Sequence, residues 1–239
     1  MPQQMRIDYF RNSIGLSWAV IFLIVLFWVL LFLDGVSQHY FQSFHPIDEY
    51  ILKLESSVEG LRRSVLADNH FIVFYTCGTF FFLLGLWRPG NGAVIGLSMA
   101  CYLATGFIDL SEGMLYLVMG DAVLAGTPPT EGLVFFFAWA AMLKWHLVYV
   151  GMFVMTFVIP PQGFAANAMI WGGRLLLLPA GILVYTVDPE MKPTMLLVRF
   201  VLVVLSYLLT IAIARQQINF LKKNDVSSPS SAPVHKGTN

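Results

Sequence analysis

The chain has 239 residues, of which 57% are hydrophobic, 15% are aromatic and 12% are charged, and its formal net charge is zero. An average soluble domain has about 25% charged residues, and the mean hydropathy of this chain is +0.71. The composition therefore excludes a soluble globular enzyme, a disordered chain and a nucleic-acid-binding protein, and it predicts an all-α, polytopic integral membrane protein.

Six apolar runs are long enough to be transmembrane helices, since about 20 residues rising 1.5 Å each cross a hydrocarbon core of about 30 Å. In chain order they are Ser13–Leu33, His70–Trp87, Gly92–Ile108, Leu133–Ile159, Ala166–Val187 and Thr194–Ile213. Residues 13–217 are therefore the predicted membrane domain. It lies between an N-terminal segment (1–12) and a Ser/Pro-rich tail (218–239) that we expect to be disordered.

The second and third spans are joined by the tight turn 88–91, which predicts that they form a helical hairpin. Small residues recur every four positions on the third span, at Gly92, Gly96, Ala100 and Ala104. Such a strip lets a second helix backbone approach closely, so we expect it to face a neighbouring helix.

Two segments between the spans have helical character of their own. The segment 46–67 has apolar residues at 47, 51, 54, 58, 61 and 65, which is the spacing of an amphipathic helix. We expect this helix on the extracytoplasmic surface of the membrane, either packed over the bundle or available to a partner. The segment Leu110–Thr130 is apolar but contains Glu112 and Asp121. It is interpreted as an interfacial half-helix, a re-entrant segment or part of a longer span.

Lysine and arginine counts in the loops predict the orientation of the chain. Seven of these residues fall on the side of both termini: Arg6, Arg11, Arg88, Arg215, Lys222, Lys223 and Lys236. Four fall on the opposite side, together with most of the acidic residues: Lys53, Arg62, Arg63 and Lys192. We therefore expect both termini in the cytoplasm, which agrees with an even number of spans.

Three basic residues fall inside the spans, where an ionisable group costs about 2.5–3.5 kcal/mol on insertion scales and is a functional candidate by default. Arg199 is near an outer span end and can snorkel to the surface, whereas Lys144 and Arg174 are near the predicted midplane. We hypothesise a cationic site in which Arg174 acts with Lys144 or His146 on an anionic or polar ligand. Tyr149, three residues after His146, shares its helix face. The alternative is that these cations pair with carboxylates at the outer span ends or snorkel.

A second candidate site is at the outer end of the second and third spans. If these spans form a hairpin, His70 comes level with Asp109, and Glu112 follows one helical turn later. A histidine with two carboxylates can bind a divalent metal or relay protons, and the plainer alternative is a hydrogen-bonded helix end. A transmembrane haem with two histidine ligands is disfavoured, because His70 and His146 lie at different depths.

Three functional hypotheses follow, each for a protein in the lipid bilayer. The preferred one is a non-catalytic subunit or accessory protein of a membrane complex, with a membrane-protein partner or a second copy of the chain. The second is a small transporter or channel for an anionic or polar solute that uses the region of Lys144 and Arg174. The third is a membrane metal or redox enzyme that uses His70, Asp109 and Glu112.

Overall fold

The computed structural model describes residues 1–188 and 190–226, and within these residues the chain is helical with no strand. Its helices are α1 (Gln3–Asp34), α2 (Gln38–Phe41), α3 (Ile47–Gly85), α4 (Gly92–Leu124), α5 (Glu131–Met155), α6 (Gly163–Gly172), α7 (Leu178–Thr186) and α8 (Lys192–Val226). A π-helical turn, Gly173–Leu177, joins α6 to α7 without a break.

Six segments are long and apolar enough to cross a membrane, namely α1, α3, α4, α5, the α6–α7 run and α8. This finding confirms the prediction of an all-helical chain and is compatible with a multi-pass integral membrane protein. Each segment corresponds to one of the six predicted spans. However, α1, α3, α4 and α8 are considerably longer than predicted.

The predicted amphipathic helix at 46–67 is not a separate helix. It is the first part of α3, whose 39 residues rise about 58 Å at 1.5 Å per residue. Pro46 precedes the helix, and Asp48 and Glu49 occupy its first turn, where carboxylates interact favourably with the helix dipole. No proline occurs between residues 47 and 85, so nothing ends the helix between its amphipathic and apolar parts.

The segment 110–130 is also mostly a continuation of a span, because α4 extends to Leu124. Gly126 then turns the chain with a φ of +79°, a conformation that glycine adopts without steric cost. The predicted terminal segments are partly helical, because residues 3–12 belong to α1 and residues 218–226 belong to α8. The rest of the predicted tail, 227–239, lies outside the described residues.

The α3–α4 hairpin forms as predicted, and three glycines seven residues apart on α4 allow its helices to approach closely. These are Gly106, Gly113 and Gly120. A Cβ atom at Gly106 would lie 2.9 Å from Thr76 Oγ1, and one at Gly113 would lie 3.3 Å from Val65. Glycine is therefore needed where the two helices pack most tightly.

The predicted small-residue strip is not the surface that forms this hairpin. Gly96, Ala100 and Ala104 are exposed in the structure, and a Cβ atom at Gly96 would meet nothing within 4 Å. The strip thus faces outward from the bundle, and its expected neighbour is not a helix described in this chain.

Two groups of buried apolar residues lie towards opposite ends of the bundle. The α2 end comprises α2, the start of α3, the end of α4 and the start of α5, and its core contains Phe41, Tyr50, Leu54, Leu61, Val65, Tyr116, Met119, Val123, Val134 and Phe137. The termini end comprises the start of α1, the α3–α4 turn and the end of α8, and its core contains Ile7, Phe10, Phe82, Leu83, Leu86, Ile95, Ile213, Ala214, Ile218 and Leu221. Two of the residues discussed below belong to these clusters: Tyr116 packs at the α2 end, and Tyr149 packs in the same cluster as the residues of the termini end.

Candidate functional site

Lys144 of α5 contacts two carboxylates of α4. Its Nζ atom is 2.5 Å from Asp109 Oδ1 and 2.8 Å from Glu112 Oε2. The exposed fractions of the three side chains are 5% for Lys144, 13% for Asp109 and 3% for Glu112. Asp68 of α3 faces this group as a third carboxylate, with Gln38 beside it. We call Asp68, Asp109, Glu112 and Lys144 the ion cluster.

Hydrogen bonds position the carboxylates of the ion cluster. Glu112 Oε1 accepts hydrogen bonds from Gln42 Nε2 at 2.8 Å and from the Tyr116 hydroxyl at 2.9 Å. Asp109 Oδ2 accepts one from the Tyr75 hydroxyl at 3.3 Å. With three carboxylates for one ammonium group, the cluster has more acidic groups than basic ones.

A cavity of about 70 Å³ adjoins the ion cluster inside the bundle. Asp109 and Lys144 form part of its wall, and the polar and aromatic remainder includes Tyr75, Tyr102, Thr105, Trp145, Tyr149, Ser206 and Tyr207. A second cavity of about 20 Å³ shares Tyr102, Ser206 and Tyr207 with the first and extends to Ser17 and Thr210. Because a water molecule needs roughly 10–15 Å³ of such space and polar partners, both cavities have room for water.

Arg199 of α8 is a second buried cation. Only 3% of it is exposed, and its guanidinium carbon lies 3.8 Å from the centre of the Trp145 ring. The side chains of Tyr149 and Tyr185 face the guanidinium group. In the described part of the chain, Arg199 forms no ion pair with a carboxylate. Arg199 does not snorkel to the surface in this structure, because aromatic residues of α5 and α7 cover it.

The position of Tyr149 depends on a glycine in α7. A Cβ atom at Gly181 would collide with the Tyr149 ring, so glycine is required at this crossing of α5 and α7. Pro179, two residues earlier, has no amide hydrogen to bond to the preceding turn. The missing hydrogen bond explains why the helix widens into a π-helical turn at Gly173–Leu177.

The four residues predicted to bind a ligand occupy two places. Lys144 and Tyr149 line the same cavity, and the His146 ring lies beside that of Tyr149, with centroids 6.3 Å apart. Arg174 is elsewhere, because its Nε atom donates to Thr156 Oγ1 at 2.8 Å, about 18 Å along α5 from Lys144. The structure therefore brings Lys144 together with Tyr149 and not with Arg174. Lys144 pairs with carboxylates, as in the alternative interpretation of the sequence.

The three residues predicted to bind a metal ion do not come together. His70 is exposed, and its Nδ1 donates to the Leu66 carbonyl oxygen at 2.8 Å, whereas Asp109 and Glu112 belong to the ion cluster. Asp68, two residues from His70 and so about 200° around α3, faces the cluster instead. Over residues 1–188 and 190–226, no group of three or more His, Cys, Asp or Glu is arranged to hold a metal ion.

Sequence reasoning did not assign Asp68, Gln42, Tyr116 or Arg199 to a site. A signal was present for one of them, because Asp109, Glu112 and Tyr116 follow the i, i+3, i+7 spacing of one helix face. That spacing has meaning only once the segment after Asp109 is known to continue as a helix.

These features define a helical bundle of six candidate membrane-spanning helices with a buried ionic site between them. No family model matches the chain, and neither a curated protein nor a solved structure is significantly similar to it. A functional conclusion must therefore come from the chemistry of the site.

Proposed function

We propose that the protein is a small transporter for an anionic or polar solute, with the ion cluster and the adjoining cavity as its binding centre. One observation supports this most strongly: four ionisable side chains from α3, α4 and α5 gather beside a cavity in the interior of an apolar bundle. Ionisable groups within membrane helices are rare and mark ion pathways, substrate sites or proton relays. Replacing a buried ion pair with apolar residues is often neutral or stabilising, so stability alone does not explain the cluster.

Hydroxyl groups extend the polar interior from the ion cluster towards the termini end. Tyr102, Ser206 and Tyr207 line both cavities, and Ser17 and Thr210 line the second one. In this proposal the two cavities are parts of one pathway through the bundle. The predicted orientation puts the ion cluster in the outer half of that pathway.

In this proposal, an exchange of the groups that contact Lys144 couples the movement of the anion to the movement of protons. An incoming anion that binds Lys144 Nζ displaces the carboxylate of Asp109 or Glu112. A buried carboxylate without its cation must be neutralised, and it binds a proton that enters the cavity from the same side of the membrane as the anion. One proton offsets the charge of a singly charged anion, and protonation of both Asp109 and Glu112 offsets that of a doubly charged one, so the anion and its protons move together.

Flux into liposomes that contain the purified full-length protein tests the proposal. The probes are labelled succinate, phosphate and sulfate, with a pH-sensitive dye inside the liposomes. We expect at least one anion to enter faster than in protein-free liposomes, with proton uptake in proportion. Asp109→Asn keeps the shape of the side chain but removes its charge, and it should reduce the flux at least tenfold. Lys53→Met, outside the ion cluster, should leave the flux unchanged.

Two results would contradict the transporter. The first is the absence of anion and proton movement under both an imposed pH gradient and an imposed potential. The second is wild-type flux in Asp109→Asn and Lys144→Met proteins whose circular dichroism and gel-filtration profiles show normal folding.

A second candidate function, a non-catalytic subunit of a membrane complex, is favoured by the exposed strip on α4. Gly96, Ala100 and Ala104 lie on the outer surface of the bundle, and strips of small residues let another membrane helix approach closely. Native mass spectrometry of protein purified in mild detergent distinguishes the two functions. A stoichiometric partner protein supports the subunit, whereas a single chain with a bound small anion supports the transporter.

A further inference from the structure

We propose that Arg199, together with Trp145 and Tyr149, binds the oxyanion group of the solute, which is a carboxylate or a phosphate. The identification of the ligand as a solute rests on the proposed function. The contacts of these three residues are separate from the contacts within the ion cluster.

Arg199 is a buried charge that the described residues leave without a counterion. It is 3% exposed, its guanidinium carbon is 3.8 Å from the Trp145 ring centre, and no described carboxylate pairs with it. A desolvated charge is unfavourable unless it is paired and hydrogen-bonded. The contact with the indole ring offsets part of this cost, and an anionic ligand would offset the rest.

Three polar groups at this site have no hydrogen-bond partner among the described residues, although the Tyr149 and Tyr185 side chains face the guanidinium group. They are Arg199 Nη1, Trp145 Nε1 and the Tyr149 hydroxyl, all of them buried. Guanidinium and indole groups only donate, and a phenol can donate. Carboxylate and phosphate groups offer several acceptor oxygens, and their geometry matches the forked donors of arginine.

Other basic side chains near the site already have hydrogen-bond or ion-pair partners. Lys144 contacts two carboxylates of the ion cluster. Lys192 Nζ donates to Ser43 Oγ at 3.0 Å, and His146 Nδ1 donates to a backbone carbonyl at 2.7 Å. An anion that enters this part of the bundle would therefore find its unsatisfied donors at Arg199.

Two of the three residues of this site border the cavity. Trp145 and Tyr149 line the 70 Å³ cavity that Lys144 also lines. Trp145 follows Lys144 directly on α5, so an oxyanion held by Arg199 lies close to the ion cluster. The geometry therefore links anion binding at Arg199 with the exchange of partners proposed for Lys144.

Thermal unfolding of the full-length protein in detergent, followed by tryptophan fluorescence, measures binding without transport. Succinate, phosphate and sulfate are titrated against sodium chloride at equal ionic strength. The unfolding temperature in nanodiscs of phosphatidylcholine, with and without phosphatidylglycerol, tests whether a lipid phosphate binds instead. We expect a saturable rise in the unfolding temperature with at least one soluble oxyanion, and no rise with chloride.

Three variants test the assignment to Arg199 and its neighbours. Arg199→Met should weaken oxyanion binding at least tenfold. Tyr149→Phe removes one hydroxyl group and should weaken oxyanion binding about three- to tenfold. If Arg199→Met does not fold, Tyr149→Phe tests the site in its place. Arg63→Met is the matched control, because its guanidinium pairs with Asp34 in an exposed position, and its binding should equal that of the wild type.

The possible results separate this site from the proposed function. The site is wrong if neither a soluble oxyanion nor phosphatidylglycerol shifts the unfolding temperature, or if Arg199→Met and Tyr149→Phe bind like the wild type. A shift with phosphatidylglycerol alone would overturn the assignment of the ligand as a soluble anion and would identify it as a lipid headgroup. Binding that requires Arg199 without flux in liposomes would refute the transporter and keep the site. Anion flux that is unchanged in Arg199→Met would refute the site and keep the transporter.

Discussion

Lys144 and Arg199 are two cations buried in the same part of the bundle, and their surroundings are opposite. Lys144 Nζ lies 2.5 Å and 2.8 Å from two carboxylates, and a third carboxylate faces it. Arg199 stacks on an indole ring and has no carboxylate partner among the described residues. Two described carboxylates contact the first cation, and no described carboxylate pairs with the second.

This difference shows that burial alone does not define the role of a charged side chain. Removing one partner of a buried ion pair is strongly destabilising, by about 3–5 kcal/mol, because the other charge stays buried without compensation. Removing an uncompensated cation relieves a desolvation cost instead. We therefore expect the loss of Lys144 to lower the free energy of unfolding. The loss of Arg199 should weaken oxyanion binding and leave the free energy of unfolding unchanged or higher.

The largest effect is expected from Lys144→Met. This change leaves Asp109 and Glu112 buried without their cation, so the free energy of unfolding should fall by about 3–5 kcal/mol. Reversible unfolding in mixed detergent micelles measures the change. Adding Asp109→Asn to Lys144→Met should recover part of the loss, because one uncompensated charge is removed. Wild-type stability in the single variant would mean that the ion cluster is not a charged pair in the folded protein.

Gly181→Ala should have the next largest effect. The added Cβ atom would collide with the Tyr149 ring, so we expect a loss of about 1–3 kcal/mol in the free energy of unfolding and weaker oxyanion binding. Gly172→Ala is the control, because a Cβ atom there meets nothing within 4 Å. It should be neutral or stabilising by up to about 1 kcal/mol. Equal effects of the two substitutions would contradict the dependence of Tyr149 on Gly181.

The number of long helices could be predicted from the sequence, and their ends could not. Apolar runs of about 20 residues are a strong signal, so the structure has one long apolar segment for each predicted span. The helix that begins at Ile47 continues through polar and apolar sequence to Gly85, because a change in polarity does not end a helix. Turns such as the one at Gly126 end helices, whereas glycines such as Gly106 also occur within them. The hydrophobic pattern indicates only which part of a helix is apolar.

The candidate site was predictable only in part, for a related reason. Counting residues from a span end gives the depth of a side chain but not the direction in which it points. Depth put His70 level with Asp109, whereas the structure has His70 exposed and bonded to its own helix. Depth likewise grouped Arg174 with Lys144, although Arg174 bonds to Thr156. Contacts between side chains of different helices require the helix rotations, which one sequence does not supply.

Arg199→Met should have a small effect in the absence of a ligand, in contrast to Lys144→Met. The loss of a cation–π contact worth about 0.5–2 kcal/mol is opposed by the removal of an uncompensated buried charge. We expect the free energy of unfolding to be unchanged or higher, measured in the same detergent assay. A loss as large as that of Lys144→Met would show that the folded chain already compensates Arg199, and the contrast between the two cations would fail.

The smallest effect is expected from Arg62→Gln, which tests whether burial is what makes Lys144 important. Arg62 resembles Lys144 in its geometry, because it lies 2.5 Å from Glu59 Oε1 and 2.6 Å from Asp121 Oδ1. Its side chain is 46% exposed, so water and salt screen these charges. We expect no resolvable change in the unfolding temperature at 0.15 M or 0.5 M sodium chloride. A loss comparable with that of Lys144→Met would show that the number of carboxylates around a cation matters more than its burial, and the ion cluster would then be one structural ion pair among several.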